Sequence, residues 1–296
     1  MQLTSPRTRG FTLVEMLTVM VMLGVLVGAV AGLALRQQWF HHAVGLRLGV
    51  RRALHDAELL LRSELRELAP SRGDINALSP DRLDYRALIG VSVVCTADST
   101  RTVIGIPARR STTSSLTSWR SAPQQGDTIL VYESALTPDS VQWHAHVLTA
   151  APSAGGNCPV ASGFSLSAAD AADALRITIT PALSASIVAG ASIRVVRAAR
   201  YQLYLASDGL WYLGYTDCLA SRAMPCATIQ PVSGPYAAGG MHFSLIDSTG
   251  AETSDLRRFA WLHVVARAAA ALSPLAQGFS RGPFTDSLAF DIMPRN

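Results

Sequence analysis

The pattern of apolar and polar positions divides the chain near residue 70. Residues 11–35 read FTLVEMLTVMVMLGVLVGAVAGLAL, an unbroken apolar run that carries one charge, Glu15. As a helix this run extends about 37 Å, more than the ~30 Å hydrocarbon core of a bilayer. The pattern then becomes amphipathic. Ala43, Leu46, Val50, Ala53, Ala57, Leu61, Leu65 and Leu68 recur every three or four positions, which places them on one helix face. Arg51, Arg52, Arg62 and Arg66 alternate with Asp56, Glu58, Glu64 and Glu67, predicting a charged outer face with i,i+4 pairs. The helix is expected over residues 11–69, ended by Pro70. Gly45 and Gly49 weaken this stretch, each costing up to about 1 kcal/mol relative to Ala, which leaves room for a local break.

Beyond Pro70 the helical period disappears. Alternating or β-branched runs predict strands at 91–95, 102–106, 128–133, 141–149, 175–180, 192–197, 200–206, 210–215, 241–246, 259–267 and 287–293. Asp208-Gly209 marks a hairpin between two of them. Residues 107–126 and 150–172 read as polar loops, with a short helical turn at 167–174 in which Asp170 and Asp173 act as caps. Strands without long intervening helices predict an antiparallel sheet. The expected fold is therefore α+β: a long N-terminal helix packed on a C-terminal β-rich domain. The divisions are residues 1–10 as a leader, 11–35 as a membrane-spanning helix, 36–69 as its amphipathic continuation and 70–296 as a globular domain.

Composition narrows the picture. The chain is 49% hydrophobic and 16% charged, with mean hydropathy +0.25, against about 25% charged in ordinary soluble domains. Intrinsic disorder and a coiled-coil rod are excluded. All 25 basic residues are Arg, which excludes a Schiff-base or P-loop lysine. A net charge of +4 without a basic patch gives no indication of nucleic acid. Arg7 and Arg9 precede the apolar run with no acid beside them, so the N-terminus is expected to stay cytoplasmic and the remainder to be exported. No small-x-small site follows the run, so it is not an ordinary secretory signal. Glu15 is the anomaly. An acid at the bilayer centre costs about 2.5–3.5 kcal/mol or more, which makes it a functional candidate that needs a partner.

Other candidate chemistry is thin. The four cysteines, Cys95, Cys158, Cys218 and Cys226, form no C-x-x-C pair and allow three disulfide connectivities in an exported domain. The short loop between Cys218 and Cys226 favours that pair, leaving Cys95 with Cys158. His144 and His146 share one side of a strand, but no third ligand is evident and no metal is expected. The acids in 247–255 lack calcium-loop spacing and read as a turn. Hydrolase, metalloprotease and phosphate-loop motifs are absent from the sequence. No cofactor is expected, and the chain is not read as an enzyme.

The segment Arg9-Gly10-Phe11-Thr12-Leu13-Val14-Glu15, followed by the apolar run, closely resembles the type IV prepilin motif of pilins and pseudopilins. That resemblance implies cleavage between Gly10 and Phe11 by a prepilin peptidase, then methylation of the new Phe11 amine. It makes this chain a substrate and a structural subunit. Glu15 would pair with the Phe11 amine of a neighbour and so fix the register between subunits. Gly24, Gly28 and Gly32 line one helix face and would let a second helix approach. The order Tyr201-Gln-Leu-Tyr, Gly209-Leu-Trp, Gly240-Met-His-Phe, Asp247-Ser-Thr-Gly and the strand at 261–266 resembles PilW-like minor pilins and J-type pseudopilins. The partners implied are the prepilin peptidase, other major and minor pilins, and an inner-membrane assembly platform. The implied location is the bacterial inner membrane, single-pass with the N-terminus cytoplasmic and the globular domain in the periplasm, and then a pilus or pseudopilus. The alternatives are a type II secretion pseudopilin, or a membrane-anchored periplasmic enzyme or binding module that would keep its N-terminus uncut.

Overall fold

A computed structural model describes residues 12–108, 116–133, 142–218, 228–270 and 284–294. Helix α1 spans Leu13–Leu65 and a short α2 spans Ala168–Ala172. The strands are β1 (Ile75–Ser79), β2 (Arg82–Val93), β3 (Thr96–Ala97), β4 (Val103–Ile106), β5 (Ser118–Trp119), β6 (Thr128–Glu133), β7 (Gln142–Leu148), β8 (Ser153–Ala154), β9 (Leu175–Thr180), β10 (Ser192–Leu205), β11 (Trp211–Cys218), β12 (Gln230–Ile246), β13 (Glu252–Thr253), β14 (Trp261–Ala270) and β15 (Phe284–Ile292). The fold is α+β, with a long apolar N-terminal helix packed through its second half on a large antiparallel sheet.

The chain forms two units, residues 1–49 with 270–284, and residues 50–269 with 285–296. In the first, the apolar side chains of α1 are exposed, from Leu13 at 82% to Leu35 at 53%. In the second, Val50, Ala53, Leu54, Ala57, Leu61 and Leu65 are buried, at the i, i+3, i+4, i+7 spacing that one helix face requires. The helix runs unbroken through Gly45 and Gly49, where the sequence left room for a break. Two glycines lower propensity but remove no i→i−4 hydrogen bond, and propagation through the flanking residues carries the helix across them. Its end also falls earlier than expected, at Leu65. Leu68 and Ala69 remain buried, and Pro70 opens a 3-10 turn closed by Gly73 in the left-handed region at φ 70°.

The sheet runs in the order β15-β14-β12-β11-β10-β6-β7-β9-β4-β3. Strand β10 is its hub. One edge pairs with β2 along Ser192–Gln202, and the other pairs with β6 through Ile193–Val196 and then with β11 through Ala198–Leu205. Residues 192–197 and 200–206, expected as two strands, are this one strand, because Ala198 and Ala199 stay in register with Cys218 and Asp217. The first half of β12 and strand β1 were not expected. In β12, Pro231, Pro235 and the glycines break the alternation, and the register shifts against both neighbours, as bulged strands do. A Cβ at Gly90 would collide with Trp119 and the Ser118 carbonyl, so glycine lets β5 approach β2.

A second core lies away from α1. Ile104, Ile106, Ile129, Val131, Ile177, Ile179, Ile193 and Val195, from β4, β6, β9 and β10, form one buried cluster with Ile89 and Leu148. The Cys95–Cys158 disulfide forms a separate buried group with Ala174, against which Phe164 packs. Cys218 is also disulfide-bonded, and Cys226 lies outside the described residues. Ser167 caps α2 by accepting from the Asp170 N–H, and Asp173 follows as the C-cap. Within the 247–255 segment, residues 247–251 form a turn in which the Asp247 carboxylate accepts from the Thr249 and Ala251 N–H groups, and β13 follows. Among the described residues no cluster of His, Cys, Asp and Glu is placed to hold a metal.

Strand β10 carries three arginines through this interior, each facing an acid from another element. Arg197 grips the fully buried Asp127 through Nε–Oδ1 at 2.6 Å and Nη2–Oδ2 at 2.9 Å, and reaches Asp217 at 3.1 Å. Arg197→Ala therefore strands a buried carboxylate and is expected to cost about 3–5 kcal/mol. Arg82→Ala, 43% exposed and 3.9 Å from Asp84, should cost under about 1 kcal/mol. Urea unfolding of the full chain in detergent measures both, and equal effects would refute the assignment. His146 is buried beside the second core, with Nδ1 2.8 Å from the Pro181 carbonyl. His144, its neighbour on the strand, contacts Glu133. Burial holds the His146 ring below its ordinary value of 6.5, and nearby His144 adds to the effect. Below that pH the unfolded chain takes up a proton that the folded chain refuses, so stability falls as the pH drops. Denaturation curves from about pH 7.5 down to about pH 5 should show this slope, and His146→Gln should flatten it.

Candidate functional site

The site is built on α1, first at its N-terminus. Thr12 precedes the first helical residue. The Glu15 N–H donates to Thr12 Oγ1 at 3.3 Å, and the Thr12 N–H donates to Glu15 Oε2 at 3.5 Å. This is a reciprocal capping box, which satisfies two N–H groups that a helix start leaves orphaned. The Thr18 hydroxyl bonds back to the Val14 and Glu15 carbonyls at 3.1 and 2.9 Å, so it needs no water, as a hydroxyl in hydrocarbon requires. The charge of Glu15 is not compensated in the same way, since no cation pairs with it among the described residues. Gly10 and Phe11 lie outside the described residues. At Gly24, Gly28 and Gly32 an added Cβ would meet nothing within 4 Å, so this helix face is open.

The second part is the seat of α1 on the sheet. Glu64 turns toward the tyrosines of β2 and β10, and its Oε2 accepts from the Tyr85 hydroxyl at 2.9 Å and the Tyr201 hydroxyl at 2.6 Å. The two rings stack 5.7 Å apart and 5° from parallel. Burial and the Glu64 charge push both hydroxyls well above the ordinary tyrosine value; Tyr201 adds to the rise at Tyr85, while the hydrogen bond with Tyr85 opposes it at Tyr201. About three helical turns toward the N-terminus, Ser233 and Tyr236 of β12 donate to the Ala53 carbonyl at 2.8 and 2.9 Å, and burial pushes the Tyr236 hydroxyl up to about 12. Past the helix end, Asp74 accepts from the Ala69 N–H at 2.9 Å and from Arg194 at 3.1 Å, while Arg194 also reaches the Glu67 carbonyl.

The charged outer face needs correction here. Arg62 and Glu58 do form an i,i+4 pair at 3.0 Å, but Glu64 faces the sheet and Glu67 pairs with Arg120. The sequence held the signal for Glu64: it lies seven residues after Ala57 and three after Leu61, within the apolar stripe. The Thr-x-x-Glu spacing of the cap was equally visible. Asp74, Asp127 and Asp84, which meet Arg194, Arg197 and Arg200, lie 70 to 120 positions away, and Asp217 lies 20 away on the adjacent strand; no local pattern reveals them.

These features define a membrane-anchored protein whose single apolar helix among the described residues has a mean hydropathy of 2.4 over its best window, with an α+β domain on the C-terminal half of that helix. The prokaryotic N-terminal methylation motif matches residues 5–31. The match covers the N-terminal segment alone; it supports a type IV prepilin- or pseudopilin-type protein anchored by its N-terminus, and implies processing by prepilin peptidase and assembly with other pilins. It points to a structural subunit rather than an enzyme. No curated protein and no solved structure matches the chain.

The helix seat yields a test. Glu64→Leu leaves two buried hydroxyls without an acceptor and should cost about 1–3 kcal/mol for each. Adding Tyr85→Phe and Tyr201→Phe in the same chain should recover most of the loss, because the polar groups are then removed together. Thermal unfolding of the single and triple variants measures this; a triple variant weaker than Glu64→Leu would contradict it.

Proposed function

We propose that this protein is a minor pilin-like structural subunit of a type IV pilus. The observation that carries the reading is the methylation motif at residues 5–31, a segment that includes Gly10, Phe11 and Glu15 and runs into the exposed apolar helix that begins at Leu13. Prepilin peptidase cuts between Gly10 and Phe11 at the cytoplasmic membrane face, and the Phe11 amine is methylated. One methyl leaves that amine cationic, with an ordinary pKa near 7.7–8.0. In the filament, Glu15 of one subunit pairs with the Phe11 amine of its neighbour. The pair relieves the cost of two buried charges and sets the axial offset, since any other offset leaves both unpaired. Gly24, Gly28 and Gly32 admit the neighbouring helix, and the inner-membrane platform delivers the subunit with its β domain on the periplasmic side. The mature chain has 286 residues, 296 less the ten of the leader, which is large for a main shaft subunit and favours a minor one. The order of motifs from Tyr201 to Ala266 supports a PilW-like type, and equally a J-type pseudopilin of type II secretion.

The test is the N-terminal mass of the protein from cells with and without prepilin peptidase. A chain that starts at methylated Phe11 and is lost without the peptidase is the expected result; an intact Met1 in both strains refutes the reading. Glu15→Ala should still be cleaved, yet its share of the sheared filament fraction should fall about tenfold or more. Loss of pili against loss of exoprotein secretion in a deletion strain separates the two filament types.

A further inference from the structure

We propose that the outer edge of β15, with the groove between it and α1, docks an extended acidic segment of another protein chain, which joins the sheet as an added strand. The inference rests on the β domain alone and holds whichever filament the subunit enters.

The first observation is the edge itself. Strand β15 ends the strand order, and no described strand pairs with its far side. Proteins protect such edges by shortening them or by placing proline, bulges or free charges on them. This fold shortens others: β3, β5, β8 and β13 have two residues each and β1 has five. Strand β15 has nine, FTDSLAFDI, without Pro, Gly or Lys. Its two charges are already engaged. Asp286 lies 3.4 Å from Arg51 Nε, and Asp291 lies 2.6 Å from His263 Nδ1.

The second observation is the groove beside that edge. Its volume is about 1020 Å³, between Leu59 and Arg62 of α1, Arg66 just past the helix end, and Phe290, Ile292 and Met293. Leu59 and Met293 are each 68% exposed, an apolar pair left open beside an otherwise buried helix face. Arg62 stands 5.6 Å over the Phe290 ring and is half-exposed, its Nε 3.0 Å from Glu58, a surface pair that an incoming acid would have to share. Arg66 is exposed, and no described carboxylate lies within ion-pair distance of it. A strand laid along β15 presents side chains alternately. One set would cover Leu59 and Met293, and acidic residues of the segment would meet Arg62 and Arg66. A helix in the same groove would leave the edge N–H and C=O groups of β15 without partners, so strand addition is the mode that uses both features.

The experiment uses the purified full chain in detergent and a synthetic peptide of about ten residues alternating valine and glutamate. The comparisons are the same peptide with lysine for glutamate, and one N-methylated at alternate amides, which keeps its charge but cannot pair. Anisotropy should show the glutamate peptide binding at least about tenfold more tightly than either comparison. Amide exchange at residues 285–292 should slow when it binds. Arg62→Glu with Arg66→Glu should reverse the preference toward lysine. Equal binding of the N-methylated peptide would overturn strand addition. Equal binding of the lysine peptide would overturn the acidic partner, and so would self-association of the chain that protects β15 without peptide. No binding, or protection elsewhere in the sheet, overturns the proposal as a whole.

Discussion

The seating of Val50–Leu65 on the sheet is the constraint on which the rest of the domain depends. Burial of Leu54, Leu61 and Leu65 supplies the attraction, at about 1.5–3 kcal/mol for each side chain, but apolar contact alone tolerates sliding and rotation. The polar contacts do not. A one-residue slip of the helix turns Glu64 by about 100°, away from both the Tyr85 and Tyr201 hydroxyls. The Ser233 and Tyr236 hydroxyls, bound to the Ala53 carbonyl, fix the same register at the other end of the contact. Attraction and register therefore come from different atoms, and each is ineffective without the other.

The same division of labour recurs in β10. Its apolar residues fill two cores, while Arg194, Arg197 and Arg200 reach Asp74, Asp127 with Asp217, and Asp84. Buried ion pairs add little net stability once desolvation is counted, but breaking one is costly. They act as a check on assembly, because a strand paired out of register buries three unmatched guanidiniums. A chain whose cations are all arginine suits this use. The planar fork engages a carboxylate with two parallel bonds, as Arg197 does with Asp127 and Arg200 with Asp84, which a lysine cannot do.

What was legible in the sequence was what local pattern encodes. The apolar run, the amphipathic stripe and the strands at Thr128–Glu133 and Leu175–Thr180 are periodicities of 3.6 and 2, written in neighbouring residues. Strand β12 was half hidden because its prolines and bulges break the alternation while its hydrogen-bond partners, set elsewhere in the chain, keep it a strand. Glu64 has the charge of the outer face but the position of the apolar stripe, and position decides where it points. At the candidate site, Glu15 stood out as a charge in an apolar run, but its local role was missed although Thr12 stands three residues ahead of it.

The two roles of Glu15 are complementary rather than competing. The capping box uses one carboxylate oxygen and the Thr12 hydroxyl to satisfy two backbone N–H groups. That is a statement about hydrogen bonds, and a neutral Gln would serve nearly as well. Charge is a separate matter. In a low-dielectric setting a carboxylate with only a weak backbone donor still lacks a counter-ion. Under the proposed reading the neighbour's Phe11 amine supplies it, and the cap contributes by holding the side chain at the first turn, before any partner arrives. Less side-chain entropy then remains to be lost when the pair forms. A residue that were only a cap would have no need to be an acid in an apolar run, and one that were only a counter-ion would have no need to sit three residues after a threonine.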